Sequence, residues 1–157
     1  DTLMSIEARL NELGIDLPTP VAPVANYVPF VRSGNLVSIS GQIPMQDGKL
    51  AFEGKVGDPV SEDDAKAAAR LCGINLIAQM KAACDGDLDR VVRVVKLGGF
   101  VNCTDGFGGQ PQIINAASDL MVEVFGDKGR HSRSAVGVNA LPLNVPVEID
   151  ALVEIRD

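Results

Sequence analysis

Apolar and polar positions along this chain alternate between a helical and an extended period. Residues 5–13 place Ile6, Leu10 and Leu13 on one helical face, and Gly14 follows as a stop, which predicts a short helix. Residues 17–29 then carry Pro18, Pro20, Pro23 and Pro29, which exclude helix and predict an extended arm running into a sheet. Residues 30–32 and 36–40 flank Ser33-Gly34-Asn35, a hairpin signal. Gly41-Gln42-Ile43-Pro44 closes the second of these strands, and Asp47-Gly48 marks a further turn. Residues 49–60 are polar and irregular, and read as loop with a short strand.

The period then lengthens. Ser61 with Asp64 three residues on resembles a capping box. Ala65, Ala69, Cys72, Leu76, Met80 and Ala83 follow as one apolar stripe, so residues 61–84 read as the main helix. Residues 88–103, rich in valine, read as strand. A glycine-rich loop, 104–109, precedes Pro111, which suits the first turn of a second long helix. Ile114, Ala117, Met121 and Val124 form that helix's buried stripe, and Gly126 ends it. Two more strands follow at 133–140 and 147–155, joined by Leu141-Pro142-Leu143-Asn144. The order implies an α+β domain: one mixed sheet with both long helices on one face. Val136, Val138, Val147 and Ile149 cannot all point toward those helices. A sheet apolar on both faces, covered on one, wants a partner chain, and a closed homo-oligomer supplies it.

Length and composition narrow the function. At 157 residues the chain reads as a single domain over 1–157, with residues 1–25 as N-terminal helix and proline-rich arm. A chain of this size buries about two-thirds of its unfolded surface, so it needs neither disulfide nor metal to fold. The net charge of −7 argues against nucleic acid as a partner. Lys128, Arg130, His131 and Arg133 form the one basic cluster. Cys72, Cys84 and Cys103 lack metal-ligand spacing, and Cys72 falls on the apolar helix face. A nucleophilic role for Cys103 lacks a nearby base in the sequence. No signal peptide or membrane span is visible, so a cytoplasmic location is expected. The chain begins at Asp1 without methionine, and residues preceding it are expected.

The last two strands carry the chemistry. Period-two alternation sends Arg133, Ala135, Gly137 and Asn139 to one face of the first, and Glu148 and Asp150 to one face of the second. Arginine grips a carboxylate through two parallel hydrogen bonds, and a glutamate nearby handles protons. Small residues between them leave room for a small anionic molecule. On the residues alone, a structural ion pair of Arg133 with Glu148 or Asp150 ranks above a catalytic role.

Ser38-Ile39-Ser40-Gly41-Gln42-Ile43-Pro44, Arg133-Ser134-Ala135-Val136, Leu141-Pro142 and Val147-Glu148-Ile149 together resemble the pattern of the Rid (YjgF-like) reactive-intermediate deaminases. The likeness runs from about Asn26 to Ile155. The N-terminal helix and the insert at 47–60 resemble a side branch labelled "putative endoribonuclease". The resemblance implies a chorismate-mutase-like fold and a homotrimer with three sites between subunits. It assigns substrate-carboxylate binding to Arg133 and water positioning to Glu148. It adds Tyr27, Ser40, Asn115 and Phe107 as substrate-binding positions. One departure is Ala135, where the deaminases usually carry a cysteine that contributes mainly a backbone contact. Ala135 with Gly137 implies a roomier pocket.

The favoured function is therefore hydrolysis of small enamine or imine acids, such as 2-aminoacrylate, to a keto acid and ammonia, with no metal or organic cofactor. A binder or regulator that takes small carboxylates without turnover is the alternative. Ribonuclease action ranks third, because the chain is acidic and holds a single histidine.

Overall fold

Two serine caps open the helical parts of the fold in the computed structural model, which describes residues 4–23 and 25–157. Ser5 Oγ accepts from the Ala8 amide at 3.0 Å and starts α1 (Ile6–Glu12). Ser61 Oγ accepts from the Asp64 amide at 3.1 Å and starts α2 (Glu62–Ala83). Each satisfies an amide that helix geometry leaves without a partner. The third helix, α3 (Gln110–Phe125), lacks a side-chain cap and begins with Pro111 in its first turn.

The strands are β1 (Phe30–Ser33), β2 (Leu36–Gln42), β5 (Val91–Asn102), β6 (Ser132–Val138) and β7 (Val147–Ile155). A separate ribbon of β3 (Met45–Gln46) and β4 (Lys49–Leu50) lies in the irregular segment. The main sheet runs β1-β2-β7-β5-β6, antiparallel except for β5 and β6. A parallel pair needs a long crossover, and α3 provides it. β6 is thereby left on the sheet's edge.

Alternation decides which face is dry. Along β7, Val147, Ile149, Ala151, Val153 and Ile155 are buried toward α2 and α3, while Glu148, Asp150, Leu152 and Glu154 are half-buried on the opposite face. Val147 and Ile149 thus share the helix side, and Val136 stands 44% exposed on the open side. That face also shows Val31 and Leu36.

The short helix expected at 5–13 forms as α1 and packs on α3 beside the two long helices. Two details differ from the sequence reading. The strand expected from residue 88 starts at Val91, because Asp87 caps a 3-10 turn at Leu88–Arg90. The buried face of α2 is wider than one stripe: Ala68, Gly73, Ile77 and Gln79 join it, since α2 packs against both the sheet and α3.

Candidate functional site

The seven candidate residues divide into two clusters on opposite sides of the sheet. The first surrounds Arg133. Its phase on β6 is set by Ala135, which packs against the core, so Arg133 also turns toward α3. Arg133 Nη1 donates to Asn115 Oδ1 at 2.8 Å and to Ser118 Oγ at 3.1 Å, and Nη2 donates to the Pro111 carbonyl at 3.3 Å. All three acceptors are neutral. Among the described residues no carboxylate pairs with this guanidinium. Phe107 lies at the start of the same helix, its carbonyl accepting from Gln110 Nε2 at 2.7 Å. Arg133, Ala135, Asn115 and Phe107 therefore line one edge of the molecule, between β6 and α3.

The second cluster surrounds Glu148. A cleft brings its side chain together with Tyr27, Ser40, Gly41, Pro142 and Leu143. Ser40 Oγ donates to the Val28 carbonyl at 2.8 Å, which ties the arm that carries Tyr27 to β2. The carboxylate of Glu148 lies directly over Gly41, where a Cβ would overlap it. Only glycine admits this approach. Leu143 reaches the cleft from a left-handed backbone position, φ 58°, within the turn that joins β6 to β7. Burial, and then the charge of Asp150, push the Glu148 carboxyl above the ordinary carboxylate range. Glu148 likewise forms no ion pair among the described residues.

The two clusters do not meet within one chain. Glu148 is level with Phe100 on β5, and Phe100 is level with Val136 on β6, so this row faces away from the helices. Arg133 is level with Leu97, and Leu97 with Ala151, a row buried on the helix side. A structural ion pair of Arg133 with Glu148 or Asp150 is therefore not formed. The extra room expected at Gly137 is also absent, because Cys103 Sγ and Gln110 Nε2 fill the space above it.

Ser118 escaped the sequence reading, although it lies three residues after Asn115 and so shares its helix face. His131 was visible only as one member of a basic cluster. Its ring in fact bonds Ser118 at 2.8 Å. Among the described residues no group of three or more His, Cys, Asp or Glu side chains could hold a metal, and no helix is long and apolar enough to cross a membrane.

Comparison with known proteins agrees with this fold. Residues 7–155 match the family model described as "YjgF/chorismate_mutase-like, putative endoribonuclease". Protein TCP17 of Trypanosoma cruzi is 47% identical over 153 residues, covering 97% of this chain and 95% of its own. The 2-iminobutanoate/2-iminopropanoate deaminase of Dermatophagoides farinae is 32% identical, over 89% of this chain and 95% of its own. Among solved structures, a putative endoribonuclease from Shewanella oneidensis superposes with a TM-score of 0.93 at 36% identity, covering 97% of this chain and 100% of that one. E. coli TdcF with bound serine superposes with a TM-score of 0.63 at 26% identity, over 88% and 94%.

Proposed function

Since the chain belongs to the YjgF/chorismate mutase-like family, which includes the Rid proteins, we propose that it hydrolyses small 2-imino acids to 2-keto acids and ammonia at a site shared between subunits. One observation carries the reading. Among the described residues, an arginine bonded only to neutral oxygens and a carboxylate without an ion-pair partner lie on opposite faces of one sheet. Each lacks what the other offers. A second copy docked on the open sheet face brings the Arg133 edge of one chain against the Glu148 cleft of another. The family resemblance supplies the number of copies, three.

The chemistry asks little more. Arg133 presents its fork to the substrate carboxylate. This holds the imine carbon at a defined distance from the Glu148 cleft. Glu148 orients a water, which adds its oxygen to the imine carbon as the nitrogen takes up a proton. The resulting carbinolamine loses ammonia as its hydroxyl proton is withdrawn, leaving the C=O of the keto acid. A 2-imino acid and water thus become a 2-keto acid and ammonia. A carboxyl raised above its ordinary range holds a proton more readily than an ordinary one, which suits it to returning a proton as well as taking one. Tyr27 and Ser40 supply hydrogen-bonding groups at the rim. An enamine such as 2-aminoacrylate enters after tautomerising to its imine.

The test is ammonia release from freshly generated 2-aminoacrylate. Turnover above the spontaneous rate, lost in Arg133→Ala, supports the reading. Keto-acid binding without turnover moves the function to a carboxylate-binding protein, an outcome that Ala135 at the family's usual cysteine position favours.

A further inference from the structure

Behind Arg133 runs a chain of hydrogen bonds that the proposed chemistry leaves unused. His131 Nδ1 lies 2.6 Å from the Gly129 carbonyl oxygen. A carbonyl oxygen only accepts, so Nδ1 carries the ring proton. In the neutral ring Nε2 is then an acceptor, and Ser118 Oγ, at 2.8 Å, donates to it. With its proton committed to the imidazole, the Ser118 oxygen turns lone pairs toward Arg133 Nη1 at 3.1 Å. Every donor in the series finds an acceptor: guanidinium to hydroxyl, hydroxyl to imidazole, imidazole to backbone. The backbone end is fixed as well. A Cβ on Gly129 would overlap the Met121 carbonyl, so only glycine lets this turn press against α3 and set the ring beside Ser118.

We propose that Ser118 and His131 are positioning residues that hold the Arg133 guanidinium in its anion-binding orientation through the series Gly129 carbonyl, His131 ring, Ser118 hydroxyl, Arg133. The inference rests on reading Arg133 as the carboxylate clamp. A free hydroxyl rotates, and a rotamer that aims its proton at the guanidinium repels it. The imidazole removes that rotamer. A fork held in place before the ligand arrives loses less freedom on binding. Asn115, bonded to the same Nη1 at 2.8 Å, shares this role, so loss of Ser118 weakens the clamp without abolishing it.

His131 is the only histidine in the chain, so its ring nitrogens give one set of resonances in a histidine-labelled sample. At a pH where the ring is neutral, the parent should show the Nδ1–H tautomer, with that preference reduced in Ser118→Ala. An Nε2–H ring in the parent overturns the proposal. Calorimetric titration with 2-oxobutyrate supplies the functional arm. Ser118→Ala should bind about three- to tenfold more weakly, the scale of one hydrogen bond. Ser118→Thr, which keeps the hydroxyl, should restore binding, and Ser118→Ala combined with His131→Phe should be no weaker than the worse single variant. Ser118→Ala binding like the parent while Arg133→Ala loses binding overturns the positioning role and leaves the clamp intact. Arg133→Ala binding like the parent overturns the clamp, and the positioning role falls with it.

Discussion

Arg133 and Glu148 make different demands on a substitution. Lysine at 133 keeps the charge but loses the planar fork. Arg133→Lys is expected to weaken 2-oxobutyrate binding by about 1–3 kcal/mol, the scale of a charged hydrogen bond, while the melting temperature holds. Calorimetry with a thermal melt checks both halves. Glutamine at 148 keeps the shape but loses the basicity. Turnover of 2-aminoacrylate should fall in Glu148→Gln while keto-acid affinity stays level, because the lost interaction acts in the transition state. Unchanged turnover removes Glu148 from the chemistry. Asp150 gives a test by pH. Burial is the main cause of its raised carboxyl, which Gly98 and Lys96 only partly offset. An acid with a raised folded value contributes stability that is complete below the unfolded carboxyl range and is lost as pH rises through the folded value. Asp150→Asn escapes that loss. Its melting temperature should rise above the parent's as pH climbs from about 4 to about 7, and the two should converge in acid. A variant that melts below the parent at neutral pH contradicts the burial argument.

Elements set these side chains in place. The edge strand β6 presents Arg133 to α3 because Ala135, two residues on, packs against the core. A one-residue slip of β6 would turn the arginine to the other face. On β2 the decisive feature is the approach of Glu148 to Gly41. Gly41→Ala should displace the carboxylate and depress turnover as severely as Glu148→Gln, with keto-acid affinity retained. A fully active Gly41→Ala would show that the close approach has no catalytic purpose. The cap of α2 is a useful contrast, since it touches neither cluster. Its loss costs stability and leaves the site alone.

The proposed shared site depends on assembly. The open sheet face carries Val31, Leu36 and Val136 beside Glu148 and Asp150, and β6 offers a free edge. Light scattering in dilute solution should report about three chain masses. A stable monomer would remove the shared site. Subunit mixing probes the arrangement more sharply. Arg133→Ala and Glu148→Gln should each be inactive alone. Unfolded together and refolded, they should recover about a quarter of parental activity, because random assembly joins an intact Arg133 edge to an intact Glu148 cleft in that share of sites. No recovery in the mixed protein would place both residues in sites built from one chain.

What the sequence determined by itself follows from periodicity and short-range chemistry. The α2 cap, the stripe of α3, the alternation of β6 and β7 and the motif runs around Ser40, Arg133 and Glu148 are all local, and the elements form where those signals lie. Alternation even put Arg133, Ala135 and Gly137 on one face and Glu148 with Asp150 on one face of the next strand. It could not say that the two faces are opposite ones. That relation depends on β5 lying between β6 and β7 and on the parallel crossover through α3, which are long-range pairings. The same limit hid the 3-10 start at Leu88, the filling of the space over Gly137 by Cys103 and Gln110, and the bond from His131 to Ser118. Tertiary packing made those contacts, and it set the Arg133 cluster and the Glu148 cluster on opposite faces of the sheet.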